Sequence, residues 1–269
     1  MTSAEKRRRN ARILDNNHAA IASVTAPASP GFPFSNAVDE KRGRVWKPGT
    51  NSFSFTLDLL SAKQFTFIAI FGQSNATFKI SNAAVITLEA NSINYFTSGV
   101  PYTKVIPVTD AGAFADLTDS TDPEGQQYRF VKITIDDSTN PDDLEIAYLY
   151  LGDHTSFAFN ANQGFQFQPV DLSRRVSSDS GVMYSVRKNQ YSNFTGMGFS
   201  FIPEDDRTAL LQTVARIGIT GAFVFVLDPL ETSFSHDFGV KLCKFEALPQ
   251  LTHVYMNKFN ISFSIREVI

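Results

Sequence analysis

The sequence predicts a mainly β protein built from two consecutive sheet lobes, and three observations carry that reading. Apolar and polar residues alternate with period 2 over six segments ahead of residue 152, and the same pattern resumes beyond Gly152. One stretch, PEDDRTALLQTVARIG at 203–218, has a helical period instead. The 269 residues are 43% apolar and 19% charged and include 25 Phe, a composition that supports a buried core and excludes a disordered chain.

In chain order, the first lobe offers strands at 53–59 (FSFTLDL), 65–71 (FTFIAIF), 76–81 (ATFKIS), 84–89 (AVITLE), 128–135 (YRFVKITI) and 144–151 (LEIAYLYL). Polar loops such as 136–143 separate them, as in an antiparallel sandwich. The loop at 109–127 is long for a compact domain, so it is expected either to serve a function or to hide an element. The second lobe offers strands at 155–159, 164–168, 181–187, 194–202, 222–227, 238–245 and 257–265. Between them a helix is expected over 204–217. Pro203 stops the strand before it, Asp205 or Asp206 caps it, and Gly218 ends it in a left-handed turn. Leu210, Leu211, Val214 and Ile217 would form its apolar stripe. Gly152, Asn160, Asn162 and Gly164 mark the join. The organisation read from this is a basic arm at 1–12, a sandwich at 13–155 and a barrel or sandwich with one packed helix at 156–269.

Charge and cysteine content narrow the function. A net charge of −3 and a pI near 5.8 provide no general attraction to phosphate, so specific nucleic-acid binding is not expected. The charge is unevenly spread. Lys6, Arg7, Arg8, Arg9 and Arg12 stand against Glu5 alone, whereas eleven acids between 106 and 153 face only Arg129 and Lys132. An arm of one sign and a lobe of the other suit contact between copies. Lysines beside the strands, among them Lys79, Lys104, Lys132, Lys241, Lys244 and Lys258, would discourage indiscriminate strand pairing. No apolar run reaches the 18 or so residues of a membrane-spanning helix, and the N-terminus has no apolar stretch behind its charges. A protein made in a cytoplasm, without membrane insertion, is the expectation.

The chemistry-bearing residues argue against catalysis. Cys243 is the one cysteine, lies in an alternating strand pattern and reads as a buried hydrophobe. His18, His154, His236 and His253 lack metal-ligand spacing and read as surface or capping residues. Asp136, Asp137, Asp142, Asp143 and Glu145 crowd a polar loop. They read first as a solvated turn, with a calcium site at Asp136 and Asp142 as one alternative and a glycosidase pair as another. No cofactor is expected. Among aromatics, Trp46 and Tyr102 are the candidate ligand-binding residues, since planar rings stack on sugars or fill interface pockets, with a core role for Trp46 the competing reading.

Two passages resemble known families. PFSNAVDEKRGRVWKPG at 33–49, FSFTLDLLSAKQFTFIAIFG at 53–72 and the closing strands YRFVKITIDDSTNPDDLEIAYLYLGD at 128–153 resemble a galactose-binding-like (discoidin-type) jelly roll, without the cysteines of its extracellular members. SVRKNQYSNFTGMGFSFIPEDDRTALLQTVARIGITGAFVFVLDP and the closing YMNKFNISFSIREVI are similar to the split barrels of tail-tube and distal-tail proteins of long-tailed bacteriophages. The pair of resemblances implies a structural virion protein of a phage tail tip or baseplate hub. Such a protein would form a homo-oligomeric ring, a hexamer among the candidates, joining the tail tube and other tail proteins to the host-recognition apparatus. The alternative that the jelly roll implies is an adhesion module binding host-surface carbohydrate.

Overall fold

The computed structural model describes residues 10–73, 77–110, 112–118, 126–162, 164–177, 180, 183–186, 188–228 and 239–269. Its first lobe contains β1 (Arg12–Asn17), β2 (Ser23–Thr25), β3 (Ser52–Phe65), β4 (Phe67–Phe71), β5 (Val85–Asn91), β6 (Tyr102–Ile106), β7 (Val108–Thr109), β8 (Gly112–Asp116), β9 (Gln126–Asp136) and β10 (Tyr148–Ser156). The second contains β11 (Gln166–Asp171), β12 (Arg174–Ser177), β13 (Met183–Val186), β14 (Gln190–Pro203), the helix α1 (Glu204–Ile217), β15 (Phe223–Val226), β16 (Val240–Phe245), β17 (Gln250–Tyr255) and β18 (Lys258–Glu267). The protein is mainly β, with a sandwich followed by a sheet-and-helix lobe, as the alternation predicts.

All sheet pairing is antiparallel. One sheet runs β2-β3-β9-β5-β6, and a second, larger sheet runs β11-β14-β18-β16-β15-β1-β10-β4-β8-β7, with β17 paired to β18. The large sheet therefore continues from one lobe into the other. Its seam is β1, which pairs with β10 on one side and β15 on the other. Alternation along β1 sends Ile13 into the core beneath α1 and Leu14 into a cluster shared with Phe67, Tyr150 and Val224, so this strand closes both lobes. Gly152 permits the approach, because a Cβ there would lie 1.9 Å from the Asn16 carbonyl oxygen.

Several expectations need correction. The loop at 109–127 hides an element, one of its two expected readings: β8, a strand buried on both faces between β4 and β7, so no alternation betrays it. Residues 77–81 form no strand, although Phe78 and Ile80 plug the sandwich core. The first predicted strand continues to Phe65 through a bulge at which Leu60 takes φ 67° and its N–H is accepted by Asp58 Oδ1. Arg12 does not belong to a solvated arm, since it is 2% exposed and its Nη1 and Nη2 both reach the carboxylate of Asp116 on β8. The rest of the predicted arm, 1–9, lies outside the described residues.

The helix occupies 204–217 as predicted, but its cap differs. Pro203 is the capping residue without a side-chain bond, and Asp206 accepts the Ala158 N–H instead. Gly218 does take a positive φ, 59°. Leu210, Thr213 and Ile217 face inward, while Leu211 faces out.

Candidate functional site

An open concavity with converging polar groups lies at one end of the sandwich. It is built from the chain between β2 and β3, the end of β4 and the segment entering β10. Trp46 pins these pieces together. Its backbone exchanges hydrogen bonds with Ile146 (2.8 and 3.0 Å), and its indole N–H donates to the Pro27 carbonyl at 2.8 Å. The ring packs edge-on against Phe34, Phe53 and Phe55 and is wholly buried. Strand-like alternation on either side of it then turns Lys47 and Glu145 outward, where they form an ion pair at 2.5 Å.

The resulting cleft has a volume of about 520 Å3, within the range of small-molecule sites, and is open to solvent. Phe32 supplies an aromatic ring, 38% exposed, with the Lys47 ammonium 4.8 Å from its centroid. Asn36 holds the Val45 carbonyl at 2.9 Å, which fixes its amide at the cleft wall. Arg44 projects largely into solvent beside Asp39, and Gln73 and Glu145 complete the polar lining. Gly31, at φ 83°, makes the turn that brings Phe32 back toward Lys47. Chemically the cleft offers donors from guanidinium, ammonium and amides, acceptors from amide and carboxylate oxygens, and one partly exposed aromatic ring.

The floor is anchored from the other lobe. Arg42 donates from Nε and Nη2 to the Gly72 carbonyl and from Nη1 to Glu267 of β18 at 3.0 Å. Glu40 accepts the Ala222 N–H, giving the same loop a second attachment.

The residues singled out from sequence are dispersed. Trp46 has no face to offer a ligand, so its role is to hold the cleft rather than to line it. Tyr102 is half-buried and stacked on Tyr128, with ring centroids 6.5 Å apart. Asp137 is buried and receives the Ser81 N–H and hydroxyl and the Asn140 amide. Asp142 is exposed and paired with Lys79, and Asp136 is exposed at the end of β9. Among the described residues no group of three or more His, Cys, Asp or Glu could hold a metal. Cys243 is fully buried, and burial pushes its thiol well above its usual range.

The histidines correct the expectation of surface roles. His18 is buried and shares a hydrogen bond with the Gln64 carbonyl; His154 shares one with the Thr66 hydroxyl at 2.6 Å. Burial, with the Arg12 charge nearby, pulls His154 down to about 3. His253 lies exposed over Phe259, and His236 is outside the described residues.

Phe32, Asn36, Arg44 and Gln73 were missed as site residues. Their only sequence signal is position: Phe32 and Asn36 precede the GRVWKPG passage, Arg44 lies within it, and Gln73 follows β4 with no link to it along the chain.

No protein-family model matches the chain, and no curated protein matches it. Among solved structures it is similar to a fucose-binding module from Streptococcus pneumoniae, at 15% identity over 51% of this chain and 98% of that one, with a TM-score of 0.38. It is also similar to the family 32 carbohydrate-binding module from C. perfringens NanJ in complex with galactose, at 16% identity over 52% of this chain and 98% of that one, with a TM-score of 0.37. A third is the lectin-binding domain of lectinolysin complexed with Lewis b, at 12% identity, 52% and 96% coverage and a TM-score of 0.39. Modules of this size correspond to about half of the chain.

Proposed function

We propose that the protein is a non-enzymatic binding protein whose first lobe takes a saccharide in the cleft between Phe32 and Glu145. The observation that carries this reading is the juxtaposition of one half-exposed ring with Asn36, Arg44, Lys47, Gln73 and Glu145 in an open cleft of about 520 Å3. A sugar presents an apolar face and a set of hydroxyls that both donate and accept. A single aromatic ring surrounded by amides, cations and a carboxylate answers both features. Three carboxylates of the 136–145 loop are engaged in structural contacts, Asp137 by three donors, Asp142 by Lys79 and Glu145 by Lys47, which fits a binding role. The test is retention on a glycan array by the wild-type chain and by Phe32→Ala and Arg44→Ala. Selective retention that both variants lose supports the reading, and absence of retention across the array defeats it.

A second reading, the ring-forming component of a phage tail tip that joins the tail tube to host recognition, is supported by the seam. A sheet continuous through β1, riveted by Arg12–Asp116 and Arg42–Glu267, makes the two lobes a stiff unit suited to an assembly. A glycan cleft repeated around such a ring would gain avidity. Light scattering of the purified chain and immunogold labelling of virions test this: a solitary chain absent from particles contradicts it.

A further inference from the structure

The hairpin β12–β13 is the least self-sufficient part of the molecule. Its two strands form a sheet of their own, and all eight residues are exposed, including Val176, Met183, Tyr184 and Val186 at 60–70%. An isolated two-stranded ribbon is marginally stable in water, so this one is built to be completed by something else. It carries Arg174 and Arg175, with no acid among its eight strand residues.

The other sheet edges show what completes it. Edge strand β11 carries Pro169, edge strand β6 carries Lys104, and β2 and β7 are only three and two residues long. These are the ordinary ways of blunting an edge. The remaining edge, β17, has none of them. From Gln250 to Tyr255 it holds no Lys, Arg, Asp, Glu or Pro, it pairs among the described residues only with β18, and Val254, Tyr255 and the following Met256 are exposed. At its end Tyr255 pairs with Lys258, which on its other side pairs with Pro203, so the exposed acids Glu204, itself paired with Arg207, and Asp205 at the start of α1 lie across β18 from this end of β17, with Lys258 between.

The root of the arm and this edge lie at different levels of the large sheet within one chain. The arm leaves the large sheet where Asp171 pairs with Gln190, whereas β17 lies level with residues 198–203 of the same strand β14. At ~3.3 Å per residue the two are roughly 26–43 Å apart along that strand. Donor and acceptor at opposite ends of one strand are the geometry of a head-to-tail contact, which closes into rings when the rotation allows.

We propose that the β12–β13 arm of one copy lies along the free edge of β17 of the next copy, with Arg174 and Arg175 against Glu204 and Asp205. This rests on the assembly reading above and names its contact surface; it does not depend on glycan binding. Main-chain pairing at the edge supplies the register, and the exposed Val, Tyr and Met side chains supply the buried area.

The experiment uses the full chain in size-exclusion chromatography with light scattering. Three proteins are compared: wild type, an arm variant Val176→Lys/Tyr184→Lys and an edge variant Val254→Lys. Each substituted residue is exposed, so thermal melts should match wild type and certify folding. Wild type is expected to self-associate, less so at high salt, and each variant to associate at least about tenfold more weakly. A 1:1 mixture of the two variants retains one intact arm and one intact edge, and is expected to form dimers and stop there. A wild type that stays monomeric at every concentration overturns the assembly reading itself. Oligomers that persist in both variants, or a mixture that never dimerises, overturn the contact proposed here while leaving assembly standing.

Discussion

Replacing Arg42 by alanine tests how the cleft depends on the second lobe. The guanidinium lies almost out of solvent, with three of its N–H groups committed to Gly72 and Glu267 and its central carbon 5.5 Å from the Phe71 ring centroid. Removing one partner of a desolvated pair costs about 3–5 kcal/mol, because the other charge stays buried. Glu267 would keep the Ser192 N–H at 3.1 Å and Lys241 at 3.7 Å, which places the expected loss near the lower end, about 3 kcal/mol. For a chain of this size that corresponds to a fall in Tm of ~6–12 °C by scanning calorimetry. Arg42→Lys should recover only part of it, since an ammonium cannot reproduce the fork that serves two acceptors. Gly43, Arg44 and Val45 follow directly and line the cleft, so saccharide affinity should weaken severalfold at temperatures where the variant is still folded. A variant that melts within ~2 °C of wild type would refute the clamp and the coupling drawn from it.

Other perturbations probe different parts of the structure. His154 has a folded-state pKa near 3 against 6.5 unfolded, so between those values the unfolded chain binds the extra proton and stability falls as the pH falls. The slope from this group approaches ~1.4 kcal/mol per pH unit, with His18 shifted the same way; urea titrations between pH 7 and 5 should show a shallower slope for His154→Asn. Gly152→Ala forces a Cβ into the Asn16 carbonyl, so it should loosen β1 and lower Tm by more than an ordinary surface change, while an unchanged melt would show that the seam yields freely. Trp46→Ala should cost about 3–5 kcal/mol and abolish saccharide retention together with stability, whereas Phe32→Ala should lose retention with little change in melt. Equal stability effects from those two changes would contradict their assignment to core and cleft.

Much of the fold was written in the alternation of single segments. Strands β3, β5, β9, β14 and β18 each bury one face, so their sequences carry the period-2 signal, and α1 carries both its period and its bounding Pro203 and Gly218. Strand β8 was hidden because Ala113 faces the sandwich core while Phe114 faces the cluster shared between lobes, which leaves no polar side to alternate. Strand β1 was hidden for a related reason. Its Arg12 looks like part of a basic tail, and only the fold brings Asp116 of β8 to meet it from 104 positions away. The cleft was legible only through its scaffold. Trp46 marks the place, but the residues that face a ligand are loop side chains whose convergence depends on the Trp46–Ile146 bridge and on an arginine tied to β18.

The most direct test of the binding reading is a structure of the protein with the best-retained saccharide from the array. The sugar is expected against Phe32, with hydroxyls in reach of Asn36, Arg44 and Glu145, and with Trp46 still buried beneath. A sugar bound elsewhere on the molecule, or a cleft left empty at saturating saccharide, would contradict it.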